Sequence, residues 1–434
     1  MNKKIGNLFK GDKGIWIVFF FLCLISIIEV FSASSTLSYK SHNYMGPLFY
    51  HFGMIAMGVV VAIITLNIPC RYFKLITPLF LLLSFASLLW VLFFGESING
   101  ANRVIQLPGF TFQPSELAKG TLVLATAQIL SAMQREDGSG ADPKAMKYIL
   151  WLAVPMVLLI SVENLSTGML LFAVIYVMMF FGRVPMQLIG KLTGVCVLGI
   201  GIVLALIFTL GVEEKETDKK QPQTEQTISV LPSSLQSVEL TAQAKPEEES
   251  EGIIQKVFHR FGTWKSRLLS PGDPEDPKDY DVRNNFQVAH ANFAIASSGI
   301  IGKGPGNSVE RDYLPQAFSD FIFAIIIEEL GLIGAIAVVF LYVILLFRAA
   351  RIASRCENNF PAFLVLGLAV LLVTQAVINM MVAVDFGIVT GQPLPLVSKG
   401  GTSTIINCAY IGAILSVSRS AKVNIAATNS TLAP

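Results

Sequence analysis

Three carboxylates in or beside one long apolar run are the residues whose position most strongly suggests chemistry. The stretch YLPQAFSDFIFAIIIEELGLIGA places Asp320 at the mouth of a predicted membrane span, with Glu328 and Glu329 about two helical turns further in. Ionisable side chains are costly in hydrocarbon, so they indicate functional sites. Two interpretations of Asp320 stay open, a helix cap or an acid that serves catalysis or ion binding. Adjacent glutamates point about 100° apart on a helix, so at least one of the pair is expected to be structural.

A second set of charged residues lies in the loop NGANRVIQLPGFTFQPSELAKG and in the helix that it opens. The loop carries Arg103, and Pro114 with Glu116 is typical of a helix N-terminus. Lys119 follows Glu116 by three residues, so one interpretation is that the two charges neutralise each other on one helix face. The alternative is that Arg103 and Lys119 present cations to phosphates at the outer leaflet.

Two loops rich in glycine and proline complete the set of candidate sites. The run GIIGKGPGNS, which contains Lys303, lacks the strand context and the Lys-Ser/Thr ending of a phosphate-binding P-loop, so a nucleotide site is not expected. It predicts a re-entrant turn instead, or backbone lying close to a ligand. The run GQPLPLVSKGGTSTIIN, with Ser398 and Lys399, has the same character. These polar loops are expected to meet on one face of the protein and to form a site there.

The elements that must position these loops are membrane helices. The 434-residue chain is 53% hydrophobic and 14% charged, with a mean hydropathy of +0.61. Soluble domains carry about a quarter charged residues, so the sequence predicts an all-α polytopic integral membrane protein with about ten transmembrane helices. The predicted spans cover residues 14–34, 48–67, 72–94, 115–134, 146–162, 164–182, 188–212, 319–347, 360–382 and 400–418.

Basic residues set the orientation of these spans. Lysine and arginine recur in alternate loops, so both termini are predicted to be cytoplasmic, and a large extracytoplasmic loop, 213–318, lies between spans 7 and 8. Within it, residues 213–252 hold ten acidic and four basic residues and no aromatic, which predicts a disordered insert. Residues 253–269 repeat apolar side chains at helical spacing, which predicts an amphipathic helix at the membrane interface.

Four segments make up the predicted domain organisation. They are a membrane domain, 1–212, with spans 1–7, the loop 213–318, a second membrane portion, 319–418, with spans 8–10, and a cytoplasmic tail, 419–434. Five scattered cysteines lack metal-ligand spacing and are expected to be packing residues. The net charge of +2 says little about partners, and no nucleic acid is expected among them.

Four motifs follow one another along the chain. GA-x-R and QPSE-x-x-K lie between Gly100 and Lys119, SSGIIGKGPGNS covers residues 297–308, the opening stretch begins at Tyr313, and LPLVSKGG begins at Leu394. Together they resemble the motifs of the SEDS family (shape, elongation, division and sporulation), the FtsW/RodA/SpoVE membrane proteins of bacterial cell-wall synthesis. The resemblance covers nearly the whole chain apart from the two tails and the 213–252 insert.

The resemblance implies a peptidoglycan glycosyltransferase of the cell inner membrane, acting at the division septum. It would polymerise lipid II and release undecaprenyl diphosphate, together with a class B penicillin-binding protein and other divisome membrane proteins. Asp320 matches the family's essential acid and is implied to be the general base. A divalent cation, Mg²⁺ or Mn²⁺ with unknown ligands, is one implied means of balancing the diphosphate, and no nucleotide is needed. The implied substrate-binding residues are Arg103, Glu116, Lys119, Lys303, Ser398 and Lys399.

Several positions depart from the family motifs, and other functions stay open. Val104 stands where the family often has Trp, Gln316 and Phe318 replace Glu and His, Asn164 replaces Asp, and Lys399 replaces Tyr. The rival functions are a lipid II flippase or transporter, which intramembrane acids would suit, and a scaffold that only recruits a transpeptidase. An elongation role is the alternative to division, and the long outer loop and the motif spelling favour division.

Overall fold

Helices dominate the computed structural model, which describes residues 10–33, 46–94, 96–98, 101–107, 110–210, 286–314, 319–386 and 391–431. The predicted insert at 213–252 and the predicted amphipathic helix at 253–269 lie outside the described residues. In chain order the helices are α1 (Lys13–Ala33), α2 (Gly46–Asn67), α3 (Cys70–Phe94), α4 (Pro114–Ala132), α5 (Pro143–Glu163), α6 (Leu165–Phe181), α7 (Met186–Leu210), α8 (Phe286–Ser298), α9 (Ile322–Ala353), α10 (Asn359–Ala383) and α11 (Thr402–Thr431).

The helices have the length and surface of a multi-pass membrane protein. Each of the ten predicted spans coincides with a helix, and α8 is an additional one in the predicted outer loop. Six of them, α1, α2, α3, α5, α9 and α10, are long and apolar enough to cross a membrane. Their large apolar side chains point outward, as Trp151, Leu75 and Phe94 show with exposures of 79%, 75% and 69%. Such surfaces suit hydrocarbon, whereas the count of ten spans stays a prediction.

The segment before α4, which the sequence predicts to be a loop, forms a small sheet that the all-α prediction did not include. The strands are β1 (Glu96–Ile98), β2 (Ala101–Leu107) and β3 (Phe110–Phe112), antiparallel in the order β1-β2-β3. In the register of β2 with β3, Ile105 pairs with Phe112. The cause is local, because the β-branched Val104 and Ile105 lie between an Asn-Gly and a Pro-Gly pair, which favour a hairpin over a helix.

The helix α10 is the most enclosed of the six candidate spans. In its most apolar stretch 56% of the residues are buried, against 22–44% in the other five. It packs against α4, α6, α9 and α11. Its polar residues Gln375 and Asn379 are each 1% exposed, so they contact other protein groups.

The helix α7 divides between two compact units. Its residues from Gly194 onward belong to a unit that covers residues 194–271, and the rest of the chain forms the other unit. The described part of the smaller unit is the helical segment that ends at Leu210, on which Val195, Val197 and Leu198 are exposed.

The helix α9 is interrupted at Gly331, where the backbone takes a φ of 68° and a ψ of −169°. The GIIGKGPGNS loop forms main-chain hydrogen bonds with α9 at this break. Four bonds of 2.8–3.3 Å join the two, listed with the donor amide first: Lys303 to Glu328, Gly304 to Glu329, Leu332 to Gly299, and Ile333 to Ile300. The loop thus satisfies backbone groups that the broken helix leaves without intrahelical partners.

Substitution of Gly331 by alanine is expected to destabilise the protein by more than about 2 kcal/mol. A Cβ there would lie 2.3 Å from the backbone carbonyl oxygen of Ile300, and the positive φ is itself unfavourable for alanine. Unfolding of the purified protein in detergent measures the change. Gly53→Ala in α2 is the matched control, since a Cβ at Gly53 meets nothing within 4 Å and alanine favours a helix. Equal stability of the two variants would contradict the role of the break.

Candidate functional site

Asp320 lies in the turn that leads into α9 and is half-buried. The N-cap of α9 is Phe321, and no side chain caps the helix there by a hydrogen bond. The Asp320 carboxylate instead accepts a hydrogen bond from the Ser319 hydroxyl at 2.9 Å. Asp320 thus lies one residue before the N-cap of α9, and its bond to Ser319 orients the carboxylate.

The backbone around Asp320 is fixed by the 391–401 loop, which runs between α10 and α11. The Ser398 hydroxyl donates to the Ser319 carbonyl oxygen at 2.6 Å and accepts from the Leu394 amide at 2.8 Å. Ser398, one of the predicted site residues, is thus hydrogen-bonded to Ser319, the residue that precedes Asp320. Its role in the structure is to hold the acid's main chain in place.

Asn379 of α10 also links the Asp320 segment to the 391–401 loop. Its amide nitrogen donates to the Asp320 carbonyl oxygen at 2.8 Å and to the Gln392 carbonyl oxygen at 2.7 Å. Gln392 in turn donates from its side chain to the Thr167 hydroxyl of α6 at 2.5 Å. Because Asn379 and Gln392 are buried, these bonds are shielded from water and hold the acid's segment firmly.

The 391–401 loop is itself held in an unfavourable conformation. Leu396 has a φ of 67°, which is unusual for a residue with a branched side chain. Two carbonyl groups beside it accept hydrogen bonds from other helices: Pro395 from the Tyr342 hydroxyl at 2.5 Å, and Val397 from the Ser26 hydroxyl at 2.6 Å. Local strain of this kind persists where the surroundings over-determine the backbone, as they often do at functional sites.

Glu116 and Lys119 form a buried ion pair behind this loop. The Lys119 amine donates to the Glu116 carboxylate at 2.8 Å and to the Gln375 side-chain oxygen at 2.7 Å. Lys119 is 0% exposed and Glu116 2% exposed. Gln375 donates onward to the Pro393 carbonyl oxygen at 3.0 Å. The charge neutralisation expected from the three-residue spacing is present, and Lys119 would have to leave both partners to reach a phosphate.

Tyr410 of α11 closes the same cluster. Its hydroxyl donates to the Glu116 carbonyl oxygen at 2.5 Å and accepts from the Gly120 amide at 3.0 Å. A Cβ on Gly120 would lie 2.3 Å from the Tyr410 ring, so only glycine admits the ring at this place. The QPSELAKG segment is thereby locked to α11 as well as to α10.

Arg103 and Lys399 are the two predicted site cations that lie outside this buried cluster. Arg103 lies in β2, whose neighbour β3 is joined to α11 by the Thr402 hydroxyl, which donates to the Thr111 carbonyl oxygen at 2.8 Å. The position of the Arg103 side chain lies outside the described residues. Lys399 follows Ser398 and is half-buried, and this burial lowers the pKa of the Lys399 ammonium below its usual value.

Lys303 belongs to a separate group that we call the glutamate clamp: Lys303, Ser308, Arg311, Glu328 and Glu329. Lys303 donates to Glu328 at 2.6 Å, and Ser308 also donates to Glu328 through its hydroxyl. Glu329 accepts from the Ser308 amide at 3.3 Å and lies 3.8 Å from an Arg311 nitrogen. Both glutamates are 0% exposed, so the structural role expected for at least one applies to each.

Sequence reasoning missed the residues that hold the acid in place. Gln375 and Asn379 were read as part of an apolar span, although they are polar and four residues apart, on one face of α10. Polar side chains in a membrane helix are themselves a signal, and applying that rule to amides as well as acids would have found both. Among the predicted site residues, the structure joins Ser398 to the Asp320 segment directly, and Lys119 with Glu116 indirectly through Gln375.

Comparisons with known proteins agree on one family. The family model for cell cycle proteins of the FtsW, RodA and SpoVE type matches residues 12–221 and 257–423. A protein of Geobacter sp. (strain M18), named probable peptidoglycan glycosyltransferase FtsW, is 30% identical over 410 residues, which is 92% of this chain and 94% of that protein. A protein of the same name from Coxiella burnetii is 28% identical over 96% of this chain and 98% of its own length.

Two solved structures share the fold. One comes from a study of the structural coordination of polymerization and crosslinking by a peptidoglycan synthase complex, with a TM-score of 0.68 and 23% identity over 95% of this chain and 98% of the other. The other is the rod shape determining protein RodA of Thermus thermophilus, with a TM-score of 0.57 and 21% identity over 95% of this chain and 98% of RodA. At these identities the likeness concerns the arrangement of the helices.

Proposed function

The chain belongs to the FtsW, RodA and SpoVE family of cell cycle proteins, and on that premise we propose that it is a peptidoglycan glycosyltransferase that polymerises lipid II in septal cell-wall synthesis. The observation that carries the proposal is the placement of Asp320. Its carboxylate is half-buried at the entrance to a broken span, while hydrogen bonds from Ser398 and Asn379 fix the main chain on which it lies. A catalytic acid needs this combination of access and fixed position.

Asp320 acts in this proposal as the general base. Its carboxylate takes the proton from the 4-hydroxyl of the acceptor N-acetylglucosamine as that oxygen bonds to the anomeric carbon of the donor strand. The bond between the anomeric carbon and the diphosphate breaks at the same time, and undecaprenyl diphosphate leaves with the electron pair. No nucleotide enters the reaction because the lipid diphosphate is already an activated leaving group.

Positive charge is needed where the diphosphate leaves. We assign this role to Arg103 in β2 and to Lys399, which lies three residues before the start of α11 in the same loop as Ser398. Lys119 and Glu116 support the loop from behind through Gln375, and Lys303 supports α9 through Glu328. Substrate contacts of these last three residues stay predictions.

We propose a divalent cation as a companion of the substrate. Among the described residues no three histidine, cysteine, aspartate or glutamate side chains come together as a metal cage. Mg²⁺ is commonly bound through substrate phosphates, so we propose the diphosphate oxygens as its donors, while Asp320 serves the acceptor hydroxyl on the opposite side of the anomeric carbon. When bound, the cation would supply positive charge to the departing diphosphate.

The cellular setting follows from the same premise. We place the protein in the cell inner membrane at the division septum, with ten spans, both termini in the cytoplasm and the 213–318 loop outside. Its partners would be a class B penicillin-binding protein and other divisome membrane proteins. The solved relative from a peptidoglycan synthase complex supports a partner that crosslinks the strands that this chain would polymerise.

Lipid II polymerisation is tested directly with the purified full chain and its cognate class B penicillin-binding protein in vesicles. Labelled lipid II and Mg²⁺ are supplied, and the products are separated on a glycan-length gel. We expect glycan ladders that need both the chain and lipid II. The absence of ladders beside an active control polymerase would refute the proposal. Transfer of labelled lipid II across the vesicle bilayer, without ladders, would favour the transporter that a broken, acid-bearing helix also suits.

A further inference from the structure

Glu29 is a buried acid that the proposed reaction does not use. It lies in α1, is 0% exposed, and neither of its carboxylate oxygens has a hydrogen-bond partner among the described residues. An ionised carboxylate without a partner costs several kcal/mol when it is removed from water. Some positive charge must therefore accompany Glu29 in the folded protein.

The neighbourhood of Glu29 connects it with the glutamate clamp. Ser32 lies one turn further along α1, and its hydroxyl donates to the Glu329 carboxylate. Arg311 donates to the Ser32 carbonyl oxygen at 3.2 Å and to its hydroxyl at 2.8 Å. Glu29 is also within electrostatic range of Glu329. Glu29 is thus a third carboxylate beside the clamp's pair.

The two cations of the glutamate clamp, Lys303 and Arg311, already lie close to other carboxylates. Lys303 pairs with Glu328 at 2.6 Å. Arg311 lies 3.8 Å from Glu329 and 3.5 Å from the exposed Asp312, so neither cation is left to pair with Glu29. The α2 helix contributes His51, whose ring nitrogen bonds the Ser26 hydroxyl at 2.8 Å, one turn before Glu29 on α1. Within the described residues, α9 brings Glu329 and the 299–311 segment brings Arg311. Lys399 also lies within electrostatic range of His51. Among the described residues no cation makes an ion pair with Glu29, so its charge is left without a partner there.

We propose that Glu29 binds one monovalent cation, a proton or an alkali ion such as Na⁺, which completes the charge balance of the glutamate clamp. A single cation matches the single unbalanced charge and gives the two carboxylate oxygens a partner. A divalent ion would leave an excess positive charge in the same enclosed place, and the described residues form no cage of three acidic, histidine or cysteine ligands for it.

If Glu29 binds this cation, each molecule should bind one cation when it folds. The unfolding midpoint of the full chain in detergent is measured against pH at fixed ionic strength, and against Na⁺ replaced by choline at fixed pH. Binding that is confined to the folded state makes the wild type more stable as the cation rises, with one cation released on unfolding. Dependence on pH alone identifies a proton, and dependence on Na⁺ identifies an alkali ion.

Glu29→Gln is the decisive variant because the amide keeps the shape and removes the charge. We expect it to lose the one-cation dependence and to be at least as stable as the wild type at low cation concentration. Glu136→Gln is the matched control, since Glu136 is exposed in a loop, and it should keep the wild-type dependence. An unchanged dependence in Glu29→Gln overturns the proposal.

Two further results would also overturn it. If Glu29→Gln is less stable than the wild type under every condition, Glu29 has a fixed cationic partner elsewhere in the chain. A second measurement needs no variant: the wild-type protein should show either the infrared carbonyl band of a protonated carboxyl or one bound Na⁺ per chain in equilibrium dialysis. The absence of both signals excludes the site.

Discussion

Asp320→Asn is expected to lower the rate of glycan polymerisation by about 10²–10⁴-fold while the protein stays folded, because general-base catalysis contributes about that much. Asparagine has nearly the same size and still accepts from Ser319, but it cannot take a proton. The bond from Asn379 goes to the main-chain carbonyl and is kept. The rate is measured on glycan-length gels with lipid II and the cognate transpeptidase, and folding is measured by the unfolding midpoint.

Asp312→Asn provides the matched control for this experiment. Asp312 is an acid of the same outer segment, its side chain is 48% exposed, and its nearest cation is Arg311 at 3.5 Å. Its substitution removes the same charge eight residues away and should leave the rate within about twofold, as for surface substitutions in general. A similar loss of rate in both variants would mean that general negative charge, and not the Asp320 carboxylate, supports the reaction.

The 391–401 loop explains how a membrane helix bundle can hold such an acid steady. Its main-chain carbonyl groups accept from α1, α9 and α10, through Ser26, Tyr342 and Gln375. In the other direction Ser398 donates to the segment before α9. Irregular backbone at this depth is tolerated only where protein groups satisfy it, and here they also orient the acid. The loop is therefore part of the scaffold as well as a candidate surface for substrate.

The sequence alone predicted most of the helices and singled out Asp320 as a candidate, for a clear physical reason. Spans are set by local hydrophobicity, and Asp320 stands out because charge is rare at the edge of hydrocarbon. The bonds of Asn379, by contrast, join residues 13 and 59 positions apart, and no local pattern encodes such pairings. The small sheet was missed because its glycine, proline and asparagine residues were read as an irregular loop, although Asn-Gly and Pro-Gly pairs flank its β-branched residues.

Lys119 illustrates a choice that sequence reasoning left open. The spacing of Glu116 and Lys119 is compatible with an internal ion pair and with a lysine that binds phosphate, so the sequence does not distinguish them. Burial of the Lys119 side chain distinguishes them. The helix α4 packs against α3 and α10, and Lys119 is 0% exposed. Burial of this kind is a property of the assembled bundle, in which the amine binds Glu116 and Gln375.

Lys119→Met is expected to destabilise the protein by about 3–5 kcal/mol, the usual effect of removing one partner of a buried ion pair. Methionine fills much of the volume of lysine but leaves the Glu116 carboxylate buried without a cation, and one of its oxygens already has no partner among the described residues. The double variant Glu116→Gln with Lys119→Met removes both charges and should recover most of the loss. Unfolding in detergent gives the free energies, with Lys147→Met as the control, because Lys147 is exposed on α5. If Lys119→Met were as stable as Lys147→Met, the amine would not be paired in the folded protein, and its assignment as a phosphate ligand would regain support.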